Sequence, residues 1–169
     1  RGLGDVYKRQ GLVRYFKKCG YKSYPFKSQN MSSKAHTLED GRLISTAQAL
    51  QAFSAGLKPD VRMNPVLLMP QSNTGSMVVI DGEKYKAMQA REYFDFKVKL
   101  RDHIMEVFEQ IEGENDIIVI EGAGSPAEIN LRDNDIVNMG LAEMVDAPVI
   151  LVADIDRGGV FASLYGTVM

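Results

Sequence analysis

Asp116–Leu131 reads Asp-Ile-Ile-Val-Ile-Glu-Gly-Ala-Gly-Ser-Pro-Ala-Glu-Ile-Asn-Leu, and the expected architecture grows out of this stretch. Ile117, Ile118, Val119 and Ile120 are consecutive apolar residues, mostly β-branched, with no polar alternation. That pattern predicts a buried parallel strand, covered on both faces. The strand runs straight into Glu121 and two glycines, Gly122 and Gly124. Open α/β sheets bind ligands just beyond the carboxyl ends of their strands. Glu121 is therefore expected where a Mg²⁺-nucleotide or an activated substrate would lie, with the glycines leaving room for a phosphate or a backbone.

Downstream, Ile136–Val145 reads as a helix and Pro148–Ala153 as a second buried strand. The exit of that strand, Asp154-Ile155-Asp156-Arg157-Gly158-Gly159, is polar and glycine-bearing like the first. Gly158–Met169 begins a further helix. Upstream, Arg91–Ile111 is the longest helix candidate, with Tyr93, Leu100, Ile104, Val107, Phe108 and Ile111 on one stripe. Strands alternating with helices predict a parallel, helix-covered sheet, with Glu121 and Asp154 leaving it at the same edge.

The first third adds a helix over Gly11–Lys18 closed by Gly20, then a strand over Tyr21–Phe26. The strand enters a polar loop, Lys27-Ser28-Gln29-Asn30-Met31-Ser32-Ser33. A lysine at a strand exit suits a phosphate, although without further context a solvated surface lysine is the commoner case. Leu38–Gly41 carries turn chemistry, and Ser45 or Thr46 caps a helix over Ala47–Ala55 that ends at Gly56. Asn64-Pro65 breaks the chain before a short buried strand, Val66–Met69, which Pro70 ends. Met77–Ile80, closed by Asp81-Gly82, forms a second short strand, and this pair reads as an excursion from the main sheet.

With 169 residues, 45% of them hydrophobic and 25% charged, the chain suits one globular domain. A formal net charge of −2 gives no footprint for nucleic acid or for an anionic membrane surface. No stretch approaches the roughly 18 apolar residues of a membrane span, and the start lacks a signal-peptide core, so a cytoplasmic protein is expected. The single cysteine, Cys19, has no disulfide partner and no metal-ligand spacing. His36 and His103 have no second ligand nearby and read as solvated or satisfied side chains. The methionines are scattered as core fillers.

Six ordered segments together resemble the cobyric acid synthase family, in its amino-terminal ATP-dependent synthetase domain. They are Pro25–Met31, Ala47–Ala52, Met63–Leu68, Glu121–Leu131, Asp135–Gly140 and Asp154–Ser163. The resemblance implies a dethiobiotin synthetase-like fold: a three-layer, P-loop NTPase-like parallel sheet with helices on both faces. It also implies glutamine- and ATP-dependent amidation of peripheral carboxylates of adenosylcobyrinic acid a,c-diamide, through an acyl phosphate, in cobalamin synthesis. ATP and Mg²⁺ are the implied cofactors. A corrinoid and the glutaminase domain of the full-length protein are the implied partners, while homo-oligomerisation stays open.

On that resemblance Lys27 faces the transferring phosphoryl group, and Glu121 holds Mg²⁺ directly or through water. A structural carboxylate capping Gly122–Ser125 is the rival reading for Glu121. Asp40 is a candidate second metal ligand, or a turn residue. Ser28, Gln29 and Asn30, with Ser125, Glu128 and Asn130, are the implied substrate contacts, any of which could be a local loop cap. Gly122, Asp154, Asp156 and Arg157 are the implied nucleotide contacts, against a purely structural Arg157–Asp pair.

The chain also departs from the family pattern. Residues 1–10 match nothing in it and show no clear period, so they read as a non-family leader before a partial synthetase domain over residues 11–169. The family's first strand and its Gly-Lys-Ser or Gly-Lys-Thr phosphate loop are not found, and neither is the Cys-His-Glu glutaminase. The chain therefore reads as a fragment, expected to be inactive alone. Leu43-Ile44-Ser45-Thr46 replaces a common Glu-Ile-Gly-Arg, and Met69 stands where a lysine often precedes the proline. Rival readings are an amidoligase of the cobyrinic acid a,c-diamide synthase type and a partition-type switch ATPase.

Overall fold

A computed structural model describes residues 3–71, 75–126, 135–156 and 158–169, with the side chains of residues 3–8 set aside. The fold is mixed α/β. Helix α1 (Leu3–Lys18) leads into β1 (Ser23–Phe26), β2 (Gln29–Met31), β3 (Ala35–Thr37), β4 (Leu43–Ser45) and helix α2 (Thr46–Ser54). Then come β5 (Val66–Pro70), β6 (Gly75–Ile80), β7 (Glu83–Gln89), α3 (Ala90–Phe96), α4 (Leu100–Glu114) and β8 (Ile117–Ile120). Two further helices, α5 (Met139–Met144) and α6 (Val160–Val168), complete the described chain.

The strand that carries Glu121 is present and parallel. β8 pairs with β1 in the register Ser23↔Ile117 to Phe26↔Ile120. Successive side chains on a strand face opposite ways, and the two sides of β1 meet different helices. Ser23 Oγ donates to Val13 O of α1 at 2.7 Å, while the Phe26 ring meets Phe108 of α4 edge-on, with centroids 5.4 Å apart. The pair is thus a middle layer with α1 on one face and α4 on the other. The main core gathers here: Tyr24, Phe26, Ile44, Ala49, Ala52, Met63, Val66, Ile104 and Ile111 among others.

The excursion is larger than its sequence shows. β2, β5, β6 and β7 form a separate four-stranded sheet in that order, with β2–β5 parallel and the other pairs antiparallel. β2 lies inside the polar segment expected to be a loop, and β7 has no alternating apolar signal because all but Met88 of its residues are exposed. β3 and β4 form an antiparallel hairpin around the expected 38–41 turn.

Four further expectations are corrected. The first helix does not begin at Gly11 but runs unbroken from Leu3, fixed by individual buried side chains such as Val13 and Arg9 rather than by an apolar stripe. The long helix is two, α3 and α4, joined by a 3-10 turn over Lys97–Lys99. That turn lets Tyr93 and Phe96 of α3 also pack on the Leu68–Val78–Met88 cluster of the second sheet, while α4 serves the main core. The helix expected over Ile136–Val145 is confined to Met139–Met144. Finally, residues 148–153 are not a strand: Val149, Ile150, Leu151 and Val152 are exposed. A strand needs a neighbour for its N–H and C=O groups, and among the described residues this segment has none.

Candidate functional site

The parallel register brings two charged residues from distant parts of the chain to one place. Phe26 is opposite Ile120, so the next residues, Lys27 and Glu121, leave the layer side by side. Lys27 Nζ donates to Glu121 Oε1 at 2.5 Å, and the Glu121 amide donates to Phe26 O at 3.0 Å, fixing both exits. The side chains are only 12% and 16% exposed, so water screens the pair weakly.

A third charge completes the group. Arg9 of α1, 4% exposed, approaches Glu121 Oε2 at 3.0 Å. Its guanidinium also donates to Gln48 Oε1 at 2.9 Å and to Phe26 O at 3.2 Å. Burial pulls the Arg9 pKa down, opposed by the Glu121 charge, to about 10; the side chain is still a cation at neutral pH. Two cations against one carboxylate leave this enclosed corner with an excess of positive charge. Such a corner suits an incoming oxyanion.

Helix α2 lines the same place. Gln48 Nε2 donates to Pro25 O at 3.3 Å, and Gln51 Nε2 reaches Glu121 Oε2 at 3.5 Å. Residues three apart share a helix face, which is why Gln48 and Gln51 are both buried against the pair. Ser45 caps this helix, its hydroxyl accepting from Gln48 N. The sequence marks this helix by its cap, its glycine stop and its resemblance, but gives the two glutamines no part. Their signal is polar side chains at that spacing beside buried Ala49 and Ala52. Arg9 had no such signal, since it lies in the segment set apart as a leader.

The other expected site residues fall into several groups. Ser28 is fully buried and donates to Ile136 O at 2.6 Å. Gln29 Oε1 accepts from Tyr93 OH at 2.6 Å, and Asn30 Nδ2 donates to Ser45 Oγ at 2.7 Å. These side chains knit β2 to its surroundings beside the pair. The room left by Gly122 is taken within the protein: a Cβ there would lie 2.1 Å from Asn138 Oδ1. Ser125 is exposed just past Gly124, whose φ of +72° suits glycine.

Asp40 stands apart, closing the β3–β4 hairpin with its carboxylate on the Arg42 backbone N–H and guanidinium. Those bonds hold its carboxyl below the ordinary carboxylate range. Asp154 and Asp156 lie on an exposed turn, with Asp156 N donating to Asp154 Oδ1 at 3.0 Å. Because residues 148–153 join no sheet, the structure does not bring Asp154 to an edge shared with Glu121. Glu128, Asn130 and Arg157 lie outside the described residues. Among the described residues, no three His, Cys, Asp or Glu side chains gather in a group able to hold a metal ion, and no helix is long and apolar enough to cross a membrane.

No protein-family profile matches the chain, and no solved structure matches it. Curated relatives do. Over 158 residues, 94% of its length, the chain is 56% identical to the cobyric acid synthase of Clostridium botulinum. The figure is 58% over the same share for the cobyric acid synthases of Clostridium kluyveri and Streptococcus sanguinis. The match spans 32% of each of these relatives. Along 94% of its length, the chain is homologous to cobyric acid synthase.

Proposed function

We propose that this chain supplies part of the carboxylate-activating site of a cobyric acid synthase, a ligase of cobalamin biosynthesis that amidates carboxylates on a corrinoid at the expense of ATP. A carboxylate resists amidation at neutral pH because its charge repels the amine and an oxide leaves poorly. In the proposed reaction a substrate carboxylate oxygen attacks the γ-phosphorus of ATP, and ADP departs. Ammonia, released from glutamine elsewhere in the full-length protein, then attacks the acyl carbon and phosphate leaves.

The observation that carries this reading is the Lys27–Glu121 pair at the adjacent carboxyl ends of two parallel strands, with Arg9 behind it. Lys27 offers three N–H donors on a flexible stem and can turn from Glu121 to the transferring phosphoryl oxygens. Glu121 holds the lysine in place between turnovers. Arg9 keeps the corner positive, so charge developing on phosphoryl oxygens meets fixed cations rather than reorienting water. Partial burial by Gln48 and Gln51 helps to keep water from an acyl phosphate.

A Mg²⁺ ion would have Glu121 as its protein ligand here. One carboxylate suits an ion that arrives with nucleotide phosphates rather than an all-protein cage, and bound Mg²⁺ would neutralise phosphate charge. Asp40, committed to Arg42, is not a fitting second ligand. Gly122, Asp154, Asp156 and Arg157 remain the proposed nucleotide side of the site, with Gly122 acting by admitting Asn138 to the loop. Ser125, Glu128 and Asn130 are the proposed corrinoid side, together with the segment of Ser28, Gln29 and Asn30.

The test is a chimera in which this chain replaces the matching segment of the Clostridium kluyveri relative, supplied with ammonia and ATP. ADP is expected only when a corrinoid carboxylate is present. ADP release that ignores the corrinoid would overturn the amidation reading in favour of a switch ATPase.

A further inference from the structure

Beyond the charged group, one side chain of no assigned role holds the exit of the strand that leads to Glu121. Asn138 makes a two-way amide contact with Ala123: Ala123 N donates to Asn138 Oδ1, and Asn138 Nδ2 donates to Ala123 O, both at 2.9 Å. Both backbone groups of a loop residue two positions past Glu121 are satisfied as a neighbouring strand would satisfy them. Gly122 is what lets the carboxamide in, because a Cβ there would meet Asn138 Oδ1 at 2.1 Å.

The base of this clamp is itself braced. Asp135 Oδ1 accepts from the amides of Val137 and Asn138 at 2.9 and 2.8 Å, and its Oδ2 accepts from Gly140 N at 3.1 Å. Ile136 is buried in the main core, and its carbonyl receives the Ser28 hydroxyl. Residues 135–140 therefore grip the residue after Lys27 on one side and the loop after Glu121 on the other.

We infer that Asn138 is a positioning residue, whose carboxamide holds the Glu121 loop so that the carboxylate meets Lys27. Its consequence for turnover rests on the amidation reading proposed above; its consequence for the Lys27–Glu121 pair does not. Misplacing a reacting group by a fraction of an ångström is costly, and a clamp two residues away fixes it without touching substrate.

The experiment has two arms. In this chain alone, competitive acylation of lysines by acetic anhydride is read by peptide mass spectrometry in wild type, Asn138→Ala and Asn138→Asp. Lys27 labelling is expected to rise about threefold or more in Asn138→Ala, as one lost amide contact would allow. Unfolding should stay cooperative and the far-ultraviolet circular dichroism unchanged, which separates local release from general opening. Asn138→Asp keeps size and acceptor but turns an oxygen toward Ala123 O, so Lys27 should be released there too, even if the alanine variant fails to fold. Equal Lys27 labelling in a folded variant and wild type would overturn the inference.

In the chimera, Asn138→Ala should lower kcat about tenfold while leaving KM for the corrinoid unchanged. Gly122→Ala should be harmful alone and add little in the Asn138→Ala background, because the clash it creates is with Asn138 itself. An active chimera whose kcat ignores Asn138→Ala would also refute the positioning role. A wild-type chimera that does not amidate overturns the amidation reading instead, and the labelling arm then decides the clamp by itself.

Discussion

Ile117–Ile120 and Val149–Val152 are nearly the same peptide, four aliphatic residues ending in an acid-bearing exit, yet the structure treats them oppositely. The first lies parallel to β1, and its even members face the core. The second pairs with nothing among the described residues, and Ile150 is 78% exposed. Composition permits a strand in both places, but only a partner's backbone converts the permission into structure. The same difference separates the two exits. Glu121 is held by a lysine, an arginine and a backbone bond to Phe26, and Asp154 Oδ1 accepts from Asp156 N within an exposed turn.

The sharpest way to break this contrast is to remove one core side chain from the paired region. Phe26 is fully buried against Phe108, so Phe26→Ala should cost about 3–5 kcal/mol in a denaturant titration. A loss under 1 kcal/mol would mean that the β1–β8 layer is not where stability resides.

Glu121→Met comes next. It leaves Lys27 and Arg9 as two cations without a carboxylate in a weakly solvated corner, and removing the partner of such buried charges costs about 3 kcal/mol. The effect should persist in high salt, since the side chains are largely covered. Ser45→Ala removes the α2 cap beside the site and should cost about 1 kcal/mol. At the small end, Ile150→Ala should stay within about 0.5 kcal/mol, and a large loss there would reveal hidden packing of 148–153.

Asp40→Ala should lower the unfolding midpoint only slightly at neutral pH, because the pair is exposed. The sign of its pH dependence is nonetheless fixed: a carboxyl lowered by Arg42 adds stability above its unfolded pKa and loses it as pH falls. Because the pair is exposed, salt should erase that small slope, which a pH series of melts at two ionic strengths would show.

The contrast also explains what the sequence could and could not tell. Apolar runs with a real partner were legible: β1, β5, β6 and β8, and α2 with its Ser45 cap and Gly56 stop. The Lys27–Glu121 convergence follows the same rule, since two strand exits in a parallel sheet point the same way, but the shared edge expected from the sequence was that of Glu121 and Asp154. β7 was invisible because an exposed edge strand such as Glu83–Gln89 carries no apolar rhythm. Residues 148–153 misled for the converse reason, carrying the rhythm without a neighbour. The α3–α4 break was hidden because the turn over Lys97–Lys99 carries no glycine or proline to mark it. Arg9, Gln48, Gln51 and Asn138 act through single hydrogen bonds to groups far away in sequence, and no periodicity records those.

The account stands on Lys27 and Glu121 being a chemical pair and not merely a structural one, and a charge swap in the chimera tests that most directly. Glu121→Gln should lower corrinoid-dependent ADP release by about two orders of magnitude. Combining Lys27→Glu with Glu121→Lys should recover only part of the melting midpoint, because that ion pair is restored while Arg9 loses the carboxylate at 3.0 Å, and should leave amidation at that low level. Undiminished amidation in Glu121→Gln, or full activity in the swapped pair, would contradict it.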